Sequence, residues 1–64
     1  MWTTVYVTTS GNSATKIEKI LRDEGFLIKV KDSTYENKET LYEILVLEYE
    51  AKDAQEVLLE KGIL

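Results

Sequence analysis

One run of residues constrains this chain more than any other: Leu41-Tyr42-Glu43-Ile44-Leu45-Val46-Leu47. In an extended strand, alternate side chains point to opposite faces. Tyr42, Ile44 and Val46 then share one face, and Glu43, Leu45 and Leu47 the other. Both faces turn apolar in the second half of the run. That pattern marks a strand covered on both sides. Leu41–Glu48 is therefore read as the central strand of a sheet, and the remaining elements must be arranged around it.

Thr3–Thr9 is rich in Val, Tyr and Thr, which suit a pleated surface. It reads as the first strand, with Val5 and Val7 on one face and Trp2, Thr4 and Tyr6 on the other. Ser10-Gly11-Asn12-Ser13 is a turn cluster offering several helix-capping residues. The first helix then extends to about Glu24, on an apolar stripe of Ala14, Ile17, Ile20 and Leu21 at helical spacing. Glu18 and Arg22 stand i,i+4 in the favourable order. Gly25 falls where a helix closes with a left-handed residue. Phe26–Lys31 alternates as the second strand, with Phe26, Ile28 and Val30 on one face and Leu27, Lys29 and Lys31 on the other. Asp32–Thr40 is polar and reads as a long, mobile hairpin connection. The second helix runs from about Glu50 to Lys61, with Ala51, Ala54, Val57 and Leu58 inward. Gly62 stops it, and Ile63 folds back on its last turn.

This order predicts a single α+β domain, residues 1–64, built as β-α-β-β-α with both helices on one face of a three-stranded sheet. A right-handed crossover through the first helix is expected to leave strand one parallel to its sheet neighbour. Strands two and three pair as an antiparallel hairpin. The expected spatial order is 2-3-1, a ferredoxin-like split β-α-β sandwich lacking its final strand. Ile63-Leu64 is the candidate for a short fourth strand.

Size makes such a domain marginal. A chain of 64 residues buries only about 60% of the surface its unfolded form exposes. Small domains offset this with disulfides, metals or partners. Cysteine and histidine are both absent, which leaves oligomerisation as the expected route. Lys and Arg number 8 against 12 Asp and Glu, a net charge of −4. That balance opposes tight binding to nucleic acid. The N-terminal residues show no signal peptide, and no apolar run is long enough to span a bilayer. A cytoplasmic protein without membrane contact is expected.

With Val5, Val7, Phe26, Ile28, Val30, Ile44 and Val46 facing the helices, the opposite sheet face holds Trp2, Tyr6, Leu27, Leu45 and Leu47. That is a large apolar surface for a soluble monomer. Strand one is also an edge with no charge or proline to block pairing. These residues are the candidate interface, most simply for a homodimer, with an unknown protein partner as the other occupant.

A second candidate is the loop ending in Ser10, Gly11, Asn12 and Ser13, where free N–H groups at a helix start can hold an anion or nucleotide. Neither G-x-x-x-x-G-K-[ST] nor G-x-G-x-x-G is present. Metal carriers of ferredoxin-like layout place Cys-x-x-Cys in this loop; here there is only Thr, Ser, Gly and Asn, so no soft metal is expected. Asp32, Glu36 and Glu39 do not match calcium-loop spacing. RNA-binding sheets stack bases on aromatics of adjacent strands. Strand one offers Trp2 and Tyr6, but the matching positions on strand three are Leu45 and Leu47. Without His or Cys, the usual nucleophile–base pairs cannot form. Asp23-Glu24 and Glu48/Glu50 read as solvated charge. No catalytic residue, metal or cofactor is expected.

Met1-Trp2-Thr3-Thr4-Val5-Tyr6-Val7, Leu21-Arg22-Asp23-Glu24-Gly25-Phe26-Leu27, Glu43-Ile44-Leu45-Val46 and Glu50-Ala51-Lys52-Asp53-Ala54-Gln55-Glu56-Val57-Leu58 carry a resemblance over almost the whole chain. In them the chain resembles a family of short prokaryotic signal-transducing proteins, a bacterial domain of unknown function. The resemblance implies a ferredoxin-like fold, a regulatory role in the cytosol and no catalytic residues. Some relatives carry a decarboxylase label, but a chain this short cannot enclose a pyridoxal cofactor. Leu47 and Tyr49 stand where relatives favour Pro and a small capping residue such as Ser. The second helix is therefore expected to begin less sharply here.

Overall fold

The computed structural model describes all residues from Met1 to Leu64. The elements follow the expected order: β1 (Trp2–Thr8), α1 (Gly11–Asp23), β2 (Lys29–Thr34), β3 (Thr40–Leu47), a 3-10 turn (Glu48–Glu50) and α2 (Ala51–Glu60). The sheet order is β1-β3-β2, with β3 in the centre. The chain is an α+β domain with a three-stranded sheet and two helices.

Both neighbours of β3 run antiparallel to it. This corrects the expectation that β1 lies parallel to its sheet neighbour. The crossover through α1 does make two strands parallel, but they are β1 and β2. The passage over α1 skips one strand position, and the β2–β3 hairpin returns β3 into it.

One core holds the layers together. Ile44 and Val46 of β3, Val5 of β1 and Ile28 pack with Ala14, Ile17 and Leu21 of α1 and Ala54 and Leu58 of α2. Ile44 and Val46 lie on the same face of β3, so both helices cover that face. Leu21, Ile44, Val46 and Leu58 are fully enclosed. Burying such a side chain contributes about 1.5–3 kcal/mol, so these few residues dominate stability.

Both helices close in the same way. Gly25 and Gly62 take positive φ, 92° and 75°. In α1, the amide of Phe26 donates to Leu21 O and that of Gly25 to Arg22 O. In α2, Ile63 donates to Leu58 O and Gly62 to Leu59 O. These are Schellman pairs, which satisfy carbonyls left over at a helix end. Ile63 thereby turns back onto the core, and Ile63-Leu64 form no strand. The starts differ. Ser10 Oγ accepts from the Ser13 amide at 3.2 Å to cap α1. No side chain caps α2, which is entered through the 3-10 turn. The start of α2 lacks a sharp cap, as expected. The Glu48 amide instead donates to Met1 O at 2.7 Å.

Strand one departs from simple alternation. Thr4 pairs with Leu45, but Tyr6 pairs with the next residue, Ile44, so Val5 is an extra residue in a β-bulge. A bulge puts two residues opposite one and resets the parity of the strand beyond it. Val5 is buried in the core. Tyr6, opposite Ile44, faces the helices and packs against that core. Val7, opposite Glu43, turns to the open face and is 48% exposed. The expected faces of Tyr6 and Val7 are therefore exchanged.

The second strand also differs from its expected bounds. It starts at Lys29 and continues to Thr34, pairing Asp32 with Tyr42 and Ser33 with Leu41. Phe26 and Ile28 still reach the core, from the segment leading into the strand. The hairpin connection shrinks to Tyr35–Glu39, closed by Tyr35 N–H to Glu39 O and Lys38 N–H to Tyr35 O. Lys38 sits in the left-handed region, φ 65°. That is the arrangement of a turn followed by a one-residue bulge, where glycine is usual.

Candidate functional site

The open face of the sheet is built by register. Trp2 lies opposite Leu47 and Thr4 opposite Leu45 on one side. On the other side, Lys29 lies opposite Leu45 and Lys31 opposite Glu43. No helix covers this face. Even so, Trp2, Leu45 and Leu47 are half-buried rather than exposed. Lys29 Nζ lies 4.6 Å from the centroid of the Trp2 ring, so a side chain from each edge strand meets above β3. Thr4 Oγ1 donates to Glu43 Oε1 at 3.2 Å beside them. Leu27 is 61% exposed and precedes β2 rather than lying in it. Of the candidate interface, the structure thus brings Trp2, Leu45 and Leu47 together, sends Tyr6 to the other face and leaves Leu27 at the margin.

The two sheet edges differ in chemistry. β1 is one edge and β2 the other. β2 carries Lys29, Lys31 and Asp32, whereas Trp2–Thr8 carries no charged residue. Charges on an edge discourage pairing with another strand.

The loop before α1 is locally satisfied. The Ser10 amide donates to Thr8 Oγ1 at 3.1 Å, and Ser10 Oγ takes the Ser13 amide. The ring of Tyr42 passes beneath the first turn of α1. A Cβ at Gly11 would lie 3.3 Å from the Tyr42 hydroxyl. Gly11 therefore provides the room in which Tyr42 packs. Of the four candidate loop residues, only Ser13 opens into a concavity. That cleft, about 170 Å³, is lined by Tyr6, Ser13, Lys16, Ile17 and Ile63. Four of these five residues lay outside the expected site. The bulge that turns Tyr6 inward and the turn that returns Ile63 have no marker in local periodicity.

No polar or charged residue is buried. No group of three or more acidic side chains is placed to share a metal ion. No helix is long and apolar enough to cross a membrane. Comparison with family models, with curated proteins and with solved structures finds no match to this chain.

Proposed function

We propose that this chain is a small non-enzymatic binding and regulatory module that self-associates through the β1 edge of its sheet. The observation that carries this reading is the contrast between the edges: β1 is terminal in the sheet and uncharged, and β2 is guarded by lysines. A second copy is the occupant that fits. A two-fold axis lets β1 run antiparallel to its own counterpart, so the same patch serves both partners. Val7 of each copy would then lie on a joined open face, next to the half-buried Trp2, Leu45 and Leu47. The element order and the placing of both helices on one side support a ferredoxin-like layout. The resemblance to signal-transducing proteins supports a cytoplasmic, regulatory role.

Geometry limits the strength of such a dimer. At about 3.3 Å per residue, the edge strand Trp2–Thr8 is roughly 23 Å long and one strand wide, so edge-to-edge pairing buries little area. A standard interface buries about 800 Å² per partner. The bulge also interrupts the edge at its middle. The expected dimer is weak, dissociating at micromolar concentrations or above.

Sedimentation across a wide concentration range tests this reading. The average mass should climb from 7.4 kDa towards twice that value. Val7→Lys puts a charge on the bare β1 edge at a position that is 48% exposed, and should return the monomer with its circular dichroism unchanged. A strict monomer at about 1 mM, which excludes even millimolar affinity, would sink the proposal.

The alternative reading, a sensor of an anion or nucleotide at Ser10–Ser13, has one observation in its favour: Ser13 lines the cleft.

A further inference from the structure

The cleft beside α1 combines a cation, two hydroxyls and two apolar walls. Ile17 is its floor, only 2% exposed. Ile63 also lines it, held by the hydrogen bond that its N–H donates to Leu58 O at 2.9 Å. Lys16, Ser13 and Tyr6 are the lining residues with polar ends. Ser13 and Lys16 are one helical turn apart on α1, and the bulge delivers Tyr6 from β1 to the same place.

These polar groups are not consumed by the fold. The two ion pairs of the chain are Lys19–Asp23 and Arg22–Glu18, so Lys16 has no carboxylate partner despite the acidic balance. Neither the Lys16 ammonium nor the Ser13 or Tyr6 hydroxyl engages in any side-chain hydrogen bond of the chain. A concavity with an apolar lining and a few convergent polar groups is the usual form of a small-molecule site.

We infer that this cleft binds a small organic monocarboxylate with a short branched aliphatic body. Its carboxylate meets Lys16 and the two hydroxyls, and its hydrocarbon part lies between Ile17 and Ile63. Size favours a small ligand: a volume of about 170 Å³ lies below the several hundred Å³ usual for drug-sized ligands. Charge selects the headgroup. One ammonium and two neutral donors match a single negative charge, whereas a phosphate dianion calls for more cationic partners. The isoleucines have nothing to offer inorganic phosphate. The inference deepens the sensor reading by moving the site from the loop to the cleft, and it is independent of self-association.

Titrating isotope-labelled chain with isovalerate tests it by amide and side-chain resonances. Saturable shifts are expected at Tyr6, Ser13, Lys16 and Ile63, with a dissociation constant of roughly a millimolar. Gly11 and Asn12 should move less, which separates the cleft from the loop. Lys16→Gln, at an exposed position, should weaken binding about tenfold, as loss of a charged hydrogen bond does. Isovaleramide, the neutral analogue, should not saturate. Absence of saturable shifts up to about 50 mM overturns the inference, as does unchanged affinity in Lys16→Gln. Tighter binding of inorganic phosphate at the same residues would also overturn it. Shifts confined to Ser10–Ser13 would return the site to the loop and remove the cleft, while leaving the broader sensor reading standing.

Discussion

Lys29 holds its ammonium 4.6 Å from the centre of the Trp2 ring, although the two residues belong to strands that do not touch. Lys29 is opposite Leu45, and Trp2 is opposite Leu47. The contact therefore arches over β3 and roofs the two leucines. Long cationic side chains cover apolar surface with their stems while the charged end stays in water. This accounts for a helix-free face whose leucines are only half-exposed. It also moves the weight of the self-association proposal from the face to the β1 edge.

Removing the roof should cost little stability and expose much surface. Lys29→Ala is expected to lower unfolding free energy by about 0.5–1 kcal/mol, the range of an exposed cation–π contact. It should raise binding of a hydrophobic dye. Lys29→Met keeps the stem and should lose stability with far less dye binding. Urea titration and dye fluorescence on both variants check the division between charge and cover.

Lys38→Gly should stabilise the domain. A non-glycine residue in the left-handed region costs roughly 1–2 kcal/mol, and glycine's greater freedom when unfolded returns about 0.5–1 of that. A net gain of about 0.5–1 kcal/mol should appear as a higher urea midpoint with an unchanged slope. No gain would mean that the Lys38 backbone is not held at φ 65°.

Gly25→Ala and Gly62→Ala should each destabilise by about 0.5–1 kcal/mol, the left-handed penalty of about 1–2 kcal/mol for an L-residue less the unfolded-chain freedom that alanine removes. Nothing lies within 4 Å of a Cβ at either position, so the loss is backbone strain rather than a clash. Asn tolerates this region better than Ala, so the matching Asn variants should lose less. Equal losses for Ala and Asn would contradict the assignment.

Leu58→Ala should unfold much of the population at room temperature. Such truncations cost about 2.7–5 kcal/mol, comparable with the whole stability expected of a domain this size. Far-ultraviolet circular dichroism should show the loss directly. Leu59→Ala, one residue on and 57% exposed, is the control and should leave the signal intact.

The central strand, both helices, both glycine stops and the 2-3-1 order are legible in the sequence, because each rests on burial. Ile44 and Val46 have to be apolar, and they are. The errors fall where burial exerts no pressure. Asp32, Ser33 and Thr34 belong to an edge strand whose side chains meet solvent, so their polarity disguised them as loop. Thr4-Val5-Tyr6 contains no glycine or proline to announce a bulge, so strict alternation misassigned Tyr6 and Val7. The cleft was illegible for the same reason. Its residues come from β1, α1 and the tail, and they meet only through that irregularity and the turn at Gly62.

Val5 works as a phase shifter within β1. Because of that one extra residue, even-numbered side chains address opposite sides of the sheet in the two halves of the strand: Trp2 and Thr4 outward, Tyr6 and Thr8 inward. Deleting this single codon would leave a strand of nearly unchanged composition in uninterrupted alternation. The phenol would stay opposite Ile44 on the helix side, and the loss would fall on the core alone, which would be short of one buried side chain, that of Val5.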